Sequence, residues 1–196
     1  MFRRKTVWLE LAFACLAAGA SPRAFAGDSS PVQTADNFSI VDELRFGVFA
    51  HNPIHDENAP VDASFETLSS PIGLYSEANP VLAVLLDPRI NFGAVVNTLG
   101  RTSYGFGGLN WRAPIFGRAF AEGEFGAAVN DATRAGIPGR IDMGCPVTFR
   151  ESGGLGYQLT SNVDIVASVE HASHAGLCGK LNPGITDFGV RVGYKF

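Results

Sequence analysis

The C-terminal stretch "TDFGVRVGYKF" (186–196) limits the fold more than any other part of the chain. Phe188, Val190, Val192, Tyr194 and Phe196 fall on one side of a two-residue period, and Asp187, Gly189, Arg191, Gly193 and Lys195 on the other. A period of two is that of a β-strand whose faces meet different surroundings. A soluble sandwich would turn the apolar face inward. A membrane barrel turns it to lipid and encloses the polar face. The terminal aromatic residue, in a chain with an export signal, favours the barrel.

Segments of about ten alternating residues, the length a tilted membrane strand needs, recur upstream between turn residues. Strands are expected near 42–52, 59–69, 84–98, 102–114, 118–131, 144–160, 163–176 and 185–196. The even count gives an all-β fold class, an eight-stranded antiparallel outer-membrane β-barrel. Charged residues make up only 17% of the chain against 46% hydrophobic residues, few for a surface wet all round. A soluble lipocalin-like barrel is therefore the more distant reading. An eight-strand interior is filled by side chains, which excludes a wide pore. Glu66, Glu122 and Glu124, paired with Arg45, Arg112, Arg150 or Arg191, are the expected filling. The net charge of −4 gives no reason to expect nucleic-acid binding.

The N-terminus reads as an export signal. Arg3, Arg4 and Lys5 precede a mostly apolar run from Val7 to Ala20, and Ala24-Phe25-Ala26 offers a cleavage site. The expected organisation is a signal peptide over 1–26, a short polar leader over 27–40 and the barrel over 41–196. Cys15 lies in the signal, which leaves Cys145 and Cys178. In an oxidising compartment two cysteines most simply form one disulfide. If the chain starts on the periplasmic side, both fall at the outer end of neighbouring strands.

Chemistry-bearing residues concentrate in "SVEHASHAG" (168–176). Alternation puts His171 and Ser173 on the face of Val163, Ile165, Ala167 and Val169, and Asp164, Ser168, Glu170 and His174 on the other. The two Cα atoms would be about 6.5 Å apart, within reach of an imidazole that accepts a serine proton. Polar residues at the water–lipid rim give the same pattern, and the spacing alone favours that plainer account. His51, His55, Asp56 and Glu57 in "AHNPIHDEN" read as a solvated outer loop. No metal site and no cofactor are expected.

The segment "EHASHAGLCGKLNPGITDFGVRVGYKF" (170–196) resembles the C-terminal signature of the lipid A 3-O-deacylase (PagL) and acyloxyacyl hydrolase-like family: H-x-S-N-A-G, a short loop with N-x-G, then a strand ending G-Y-[KR]-F. "DELRFGVFAHN" (42–52) is a further echo. The resemblance implies an outer-membrane barrel that removes an ester-linked acyl chain from lipid A or lipopolysaccharide by Ser-His-Glu chemistry. By position, His171 would be the general base and Ser173 the nucleophile, with Gly176 and Asn182 near the oxyanion. The chain departs from the pattern at His174, where the family has Asn, in a longer loop before Asn182, and at Thr186, where the family has its acid. Three outcomes stay open: a Ser-His dyad held by Thr186, a triad completed by Asp187 if a bulge re-aims it, or a non-catalytic barrel serving as scaffold or surface binder. A homodimer is compatible with all three.

Overall fold

A computed structural model describes residues 38–54, 57, 59–73, 79–132 and 139–196. The expected signal peptide, most of the leader, Cys15, His55 and Asp56 lie outside the described residues. Eight strands run β1 (Glu43–His51), β2 (Ala59–Pro71), β3 (Arg89–Asn97), β4 (Tyr104–Phe116), β5 (Ala119–Asn130), β6 (Val147–Gln158), β7 (Val163–Ser173) and β8 (Ile185–Lys195). Each pairs antiparallel with the next, and β8 returns to β1 from Glu43↔Lys195 to Ala50↔Phe188, closing the barrel. Closure removes every free strand edge, which lets a sheet exist in lipid.

One segment departs from the expected strands. Residues 84–86 belong to a short helix, α1 (Pro80–Leu86), and β3 begins only at Arg89. The sequence signals are local. Asn79 caps the helix by accepting from the Val81 and Leu82 N–H groups, and Pro80 stands where a missing N–H costs nothing. The apolar run hides the helical period, because α1 buries none of its residues. It lies at the end of the barrel where β1 begins and β8 ends, and there the Trp111 indole N–H donates to the Leu85 carbonyl.

The two faces sort as alternation requires. Phe46, Val48, Phe125, Val129, Leu155, Val190 and Val192 are exposed and form the outward belt. The inward residues bury charge. Arg45 donates to Glu122 through both terminal nitrogens (2.8 and 3.0 Å) and to Glu43 through Nε (2.6 Å). Arg191 meets Glu66 at 2.7 Å and Glu124 at 3.2 Å and also bonds Glu170. Arg150 meets Glu124 and Glu170, each at 2.8 Å. Arg112 meets Asp164 at 2.9 Å. The lumen is thus a plug of mutually neutralising side chains, as its acidic and basic residues suggested. Glycine makes room for the plug. A Cβ at Gly189 would lie 2.4 Å from the Phe49 ring, and one at Gly47 would lie 2.8 Å from Arg191 Cγ.

At the end where β1 finishes and β8 begins, the β5–β6 and β7–β8 loops are locked together. Cys145 and Cys178 form a disulfide with a Cα–Cα distance of 5.8 Å. Ile141 and Met143 of one loop pack with Ile185 at the start of β8. His174 is buried under the other loop. Its Nδ1 accepts from the Cys178 N–H (3.3 Å) and its Nε2 donates to the Leu181 carbonyl (2.7 Å). His174 therefore staples the β7–β8 loop from within.

Candidate active site at the barrel rim

β7 ends with His171 and Ser173 on the outward face, both half-buried, while Ala172 and His174 between and after them turn inward and are buried. β8 begins beside them, with His171 directly opposite Thr186. Cross-strand partners share a face, and His171 Nδ1 lies 2.8 Å from Thr186 Oγ1. With the proton on Nδ1 donated to that hydroxyl, Nε2 carries the lone pair a base needs.

Gly184 shapes the space around the ring. A Cβ there would lie 2.7 Å from His171 Cε1 and 3.1 Å from Nε2, and its φ of +68° is left-handed. Both facts demand glycine at the last position of the N-x-G triplet. Asn182 Oδ1 accepts the His174 N–H at 3.1 Å, tying the triplet's first residue to the end of β7. Gly176 follows Ala175 in an exposed turn where both have positive φ, 82° and 52°.

Asp187 is not brought to His171. The β7–β8 register runs from Val163↔Tyr194 to Ala172↔Ile185 without a bulge, so Asp187 pairs with Glu170 on the inward face. There it accepts from the Asn52 N–H (2.9 Å) and from the Tyr104 hydroxyl (2.9 Å). The arrangement in which a bulge re-aims Asp187 is not what these strands form, because the lumen already engages its carboxylate.

Two residues passed over in the sequence bear on the site. Asn52 is fully buried, with φ 41°. It clamps the start of β8, giving its N–H to Asp187 and accepting the Thr186 N–H on Oδ1 at 3.2 Å. Glu151 on β6 stands directly opposite His171, outward and exposed. A carboxylate is unexpected on a lipid-facing strand. The outward parity of 149, 151, 153 and 155 would have marked it. Its opposition to His171 depends on pairing between distant segments.

His51 and Glu57, read as part of a solvated loop, are instead buried at this end of the lumen. A register shift in β1 between Phe49 and His51 brings the ring to Asp62 of β2, Nδ1 to Oδ2 2.8 Å. Between them Pro53 and Ile54 are exposed.

Below His171 and Thr186 the outward face carries a shallow, open groove of about 620 Å³, lined by residues of β6, β7 and β8 that include Leu155, Ala167, Val169 and Phe188. Val169 and Phe188 are each two residues from the histidine–threonine pair on the same face. A polar pair at the head of an apolar groove suits a substrate with a polar linkage and an alkyl tail.

Residues 105–195, from β4 through β8, match the model of the family described as Lipid A 3-O-deacylase (PagL). The matched residues include almost all of 170–196, where the sequence resemblance lies. A solved structure, "Crystal structure of the outer membrane enzyme PagL", superposes with a TM-score of 0.61 at 14% identity, covering 79% of this chain and 99% of that one. At that identity the shared property is the fold, a closed eight-stranded antiparallel β-barrel. A designed transmembrane β-barrel gives a TM-score of 0.46 at 9% identity over 84% and 98% of the two chains. The Yersinia pestis outer membrane protein Ail gives 0.40 at 15% over 79% and 99%. No curated protein matches the chain.

Proposed function

We propose that this chain is an outer-membrane esterase that removes an ester-linked acyl chain from lipid A or a related outer-leaflet lipid, with Ser173 as nucleophile and His171 as base. The observation that carries the reading is the His171–Thr186 hydrogen bond on the outward face, at the head of an apolar groove, with Ser173 two residues along the strand. The match of residues 105–195 to a lipid A 3-O-deacylase family supports the same substrate class.

The sequence of steps follows from the groups present. Ser173 Oγ bonds to the ester carbonyl carbon as its proton passes to His171 Nε2. The tetrahedral oxyanion is held by N–H groups of the β7–β8 loop, with Gly176 and Asn182 the residues assigned to it. Collapse breaks the acyl C–O bond, and His171 returns the proton to the departing lipid alkoxide. Water then enters, loses a proton to His171 and splits the acyl-serine, releasing the fatty acid and restoring Ser173. Thr186 Oγ1 accepts the Nδ1–H throughout and fixes ring and tautomer. It carries no charge to balance the imidazolium, so this enzyme is slower than one with a carboxylate at the same place.

The uncharged hydroxyl at position 186 also supports a second reading, a barrel that keeps the family's form without its reaction. One comparison separates the two. Lipid A is analysed by mass spectrometry in a host lacking the gene, carrying it, or carrying Ser173→Ala. Loss of one hydroxy-fatty acid with the unaltered chain alone supports the esterase. The same loss with Ser173→Ala removes the nucleophile assignment, and identical spectra in all three leave the scaffold.

A further inference from the structure

The lumen's ionic order breaks down in one place. Deep in the barrel every buried carboxylate meets an arginine or lysine. At the loop end, among the described residues, Asp62 and Asp187 meet no such group within 4 Å, and their only cationic neighbour is the His51 ring. A third carboxylate, Glu57, faces the ring's other edge, with Oε2 3.8 Å from Nε2. Among the described residues Arg140 is the only arginine near it, with Nε 3.9 Å from Oε1. All three acids and the histidine are essentially without exposure. Burying charge this way is expensive unless a counter-ion balances it.

The donor atoms converge. The ligand atoms of His51, Asp62 and Asp187 all lie within 4.8 Å of one another. Nδ1 is 2.8 Å from Asp62 Oδ2 and 3.8 Å from Asp187 Oδ1. Two ligands of a tetrahedral zinc ion stand roughly 3.3–3.5 Å apart, so these distances bracket what an ion needs. Topology explains the convergence, since β1 runs between β2 and β8 and each strand contributes one ligand.

An independent observation points the same way. His51 Nε2 is buried without a hydrogen-bond partner. A histidine that ligates through Nδ1 keeps its proton on Nε2, and metal-bound histidines give that proton to a carboxylate. Here Nε2 faces Glu57. The Glu57 carboxylate is held in place by the Thr102 backbone N–H at 2.9 Å and the Thr102 hydroxyl at 2.8 Å.

We propose that His51, Asp62 and Asp187 bind a divalent transition-metal ion inside the barrel rim, with Glu57 accepting the His51 Nε2–H. One imidazole with two carboxylates suits ions of borderline hardness such as Zn²⁺ or Mn²⁺ better than Mg²⁺ or Ca²⁺. The ion replaces the proton between His51 and Asp62 and adds positive charge among the carboxylates. It also fixes Asp187, whose carboxylate holds Asn52, which in turn holds Thr186. The site and the esterase reading stand or fall separately.

The test uses untagged, refolded full barrel in detergent, stripped with a chelator and dialysed against Zn²⁺ or Mn²⁺, with bound metal measured by elemental analysis. The expected result is about one ion per folded chain, with Kd at least tenfold weaker in Asp62→Asn and unchanged in Ser173→Ala. If Asp62→Asn does not fold, His51→Gln takes its place. X-ray absorption on the unaltered, metal-loaded protein reads the ligands without any variant, and one nitrogen with oxygens is expected. Absence of stoichiometric binding, equal affinity in the folded variant, or a sulfur or multi-histidine signature would overturn the proposal.

Discussion

Thr186 Oγ1 lies 2.8 Å from His171 Nδ1, in the place where the related family carries an acid. The hydroxyl gives the ring its orientation and carries no charge of its own. Replacing Thr186 with Val removes the acceptor and should lower the deacylation rate about fivefold, the worth of one ordinary hydrogen bond. Thr186→Glu supplies both acceptor and charge and should raise it at least tenfold. Rates on purified lipid A in mixed micelles measure both. A threonine-to-valine variant as fast as the parent would remove Thr186 from the mechanism.

Gly184 is the second lever on the ring. A methyl group there would overlap His171 Cε1 at 2.7 Å in a backbone conformation that alanine resists. Gly184→Ala should reduce activity by tenfold or more while costing about 1–2 kcal/mol of stability. Heat-modified migration on gels, run beside the rate assay, distinguishes a displaced ring from an unfolded barrel.

Glu151 presents a carboxylate directly across from His171 on β6. A negative charge at that separation favours the imidazolium that forms when Ser173 is deprotonated. Glu151→Gln should therefore slow turnover roughly threefold without changing KM. Equal turnover in both proteins would mean that the carboxylate serves the lipid headgroup boundary and not the reaction.

The lumen offers a stability test far from the rim. Arg191 holds Glu66, Glu124 and Glu170 together from the barrel centre. Arg191→Met leaves these acids short of a counter-charge and should destabilise the barrel by about 3–5 kcal/mol. Urea refolding into detergent micelles measures the difference. Adding Glu124→Gln to it should recover part of the loss, because the two residues share one network.

Much of this could be seen before folding, for a physical reason. Strand parity is local, so the outward placement of His171 and Ser173 and the inward placement of Asp187 follow from alternation over a few residues. The Arg–Glu lumen follows from the same parity summed over strands. Pairing is not local. That Glu151 faces His171, or that Asn52 reaches Thr186, depends on register between segments far apart in the chain. The burial of His51 depends on a register shift in β1 that leaves no compositional trace. α1 was hidden for the opposite reason, since a helix with no buried face has no period to display.

The outward setting of His171 and Ser173 has a kinetic consequence. With the lumen closed by its own charges, a substrate reaches this face only by moving sideways in the plane of the membrane. The quantity that governs encounter is then the fraction of the surface occupied by the lipid, not its concentration in the surrounding volume. Diluting micelles with water should leave the rate unchanged, while diluting the lipid with inert detergent should slow it in proportion.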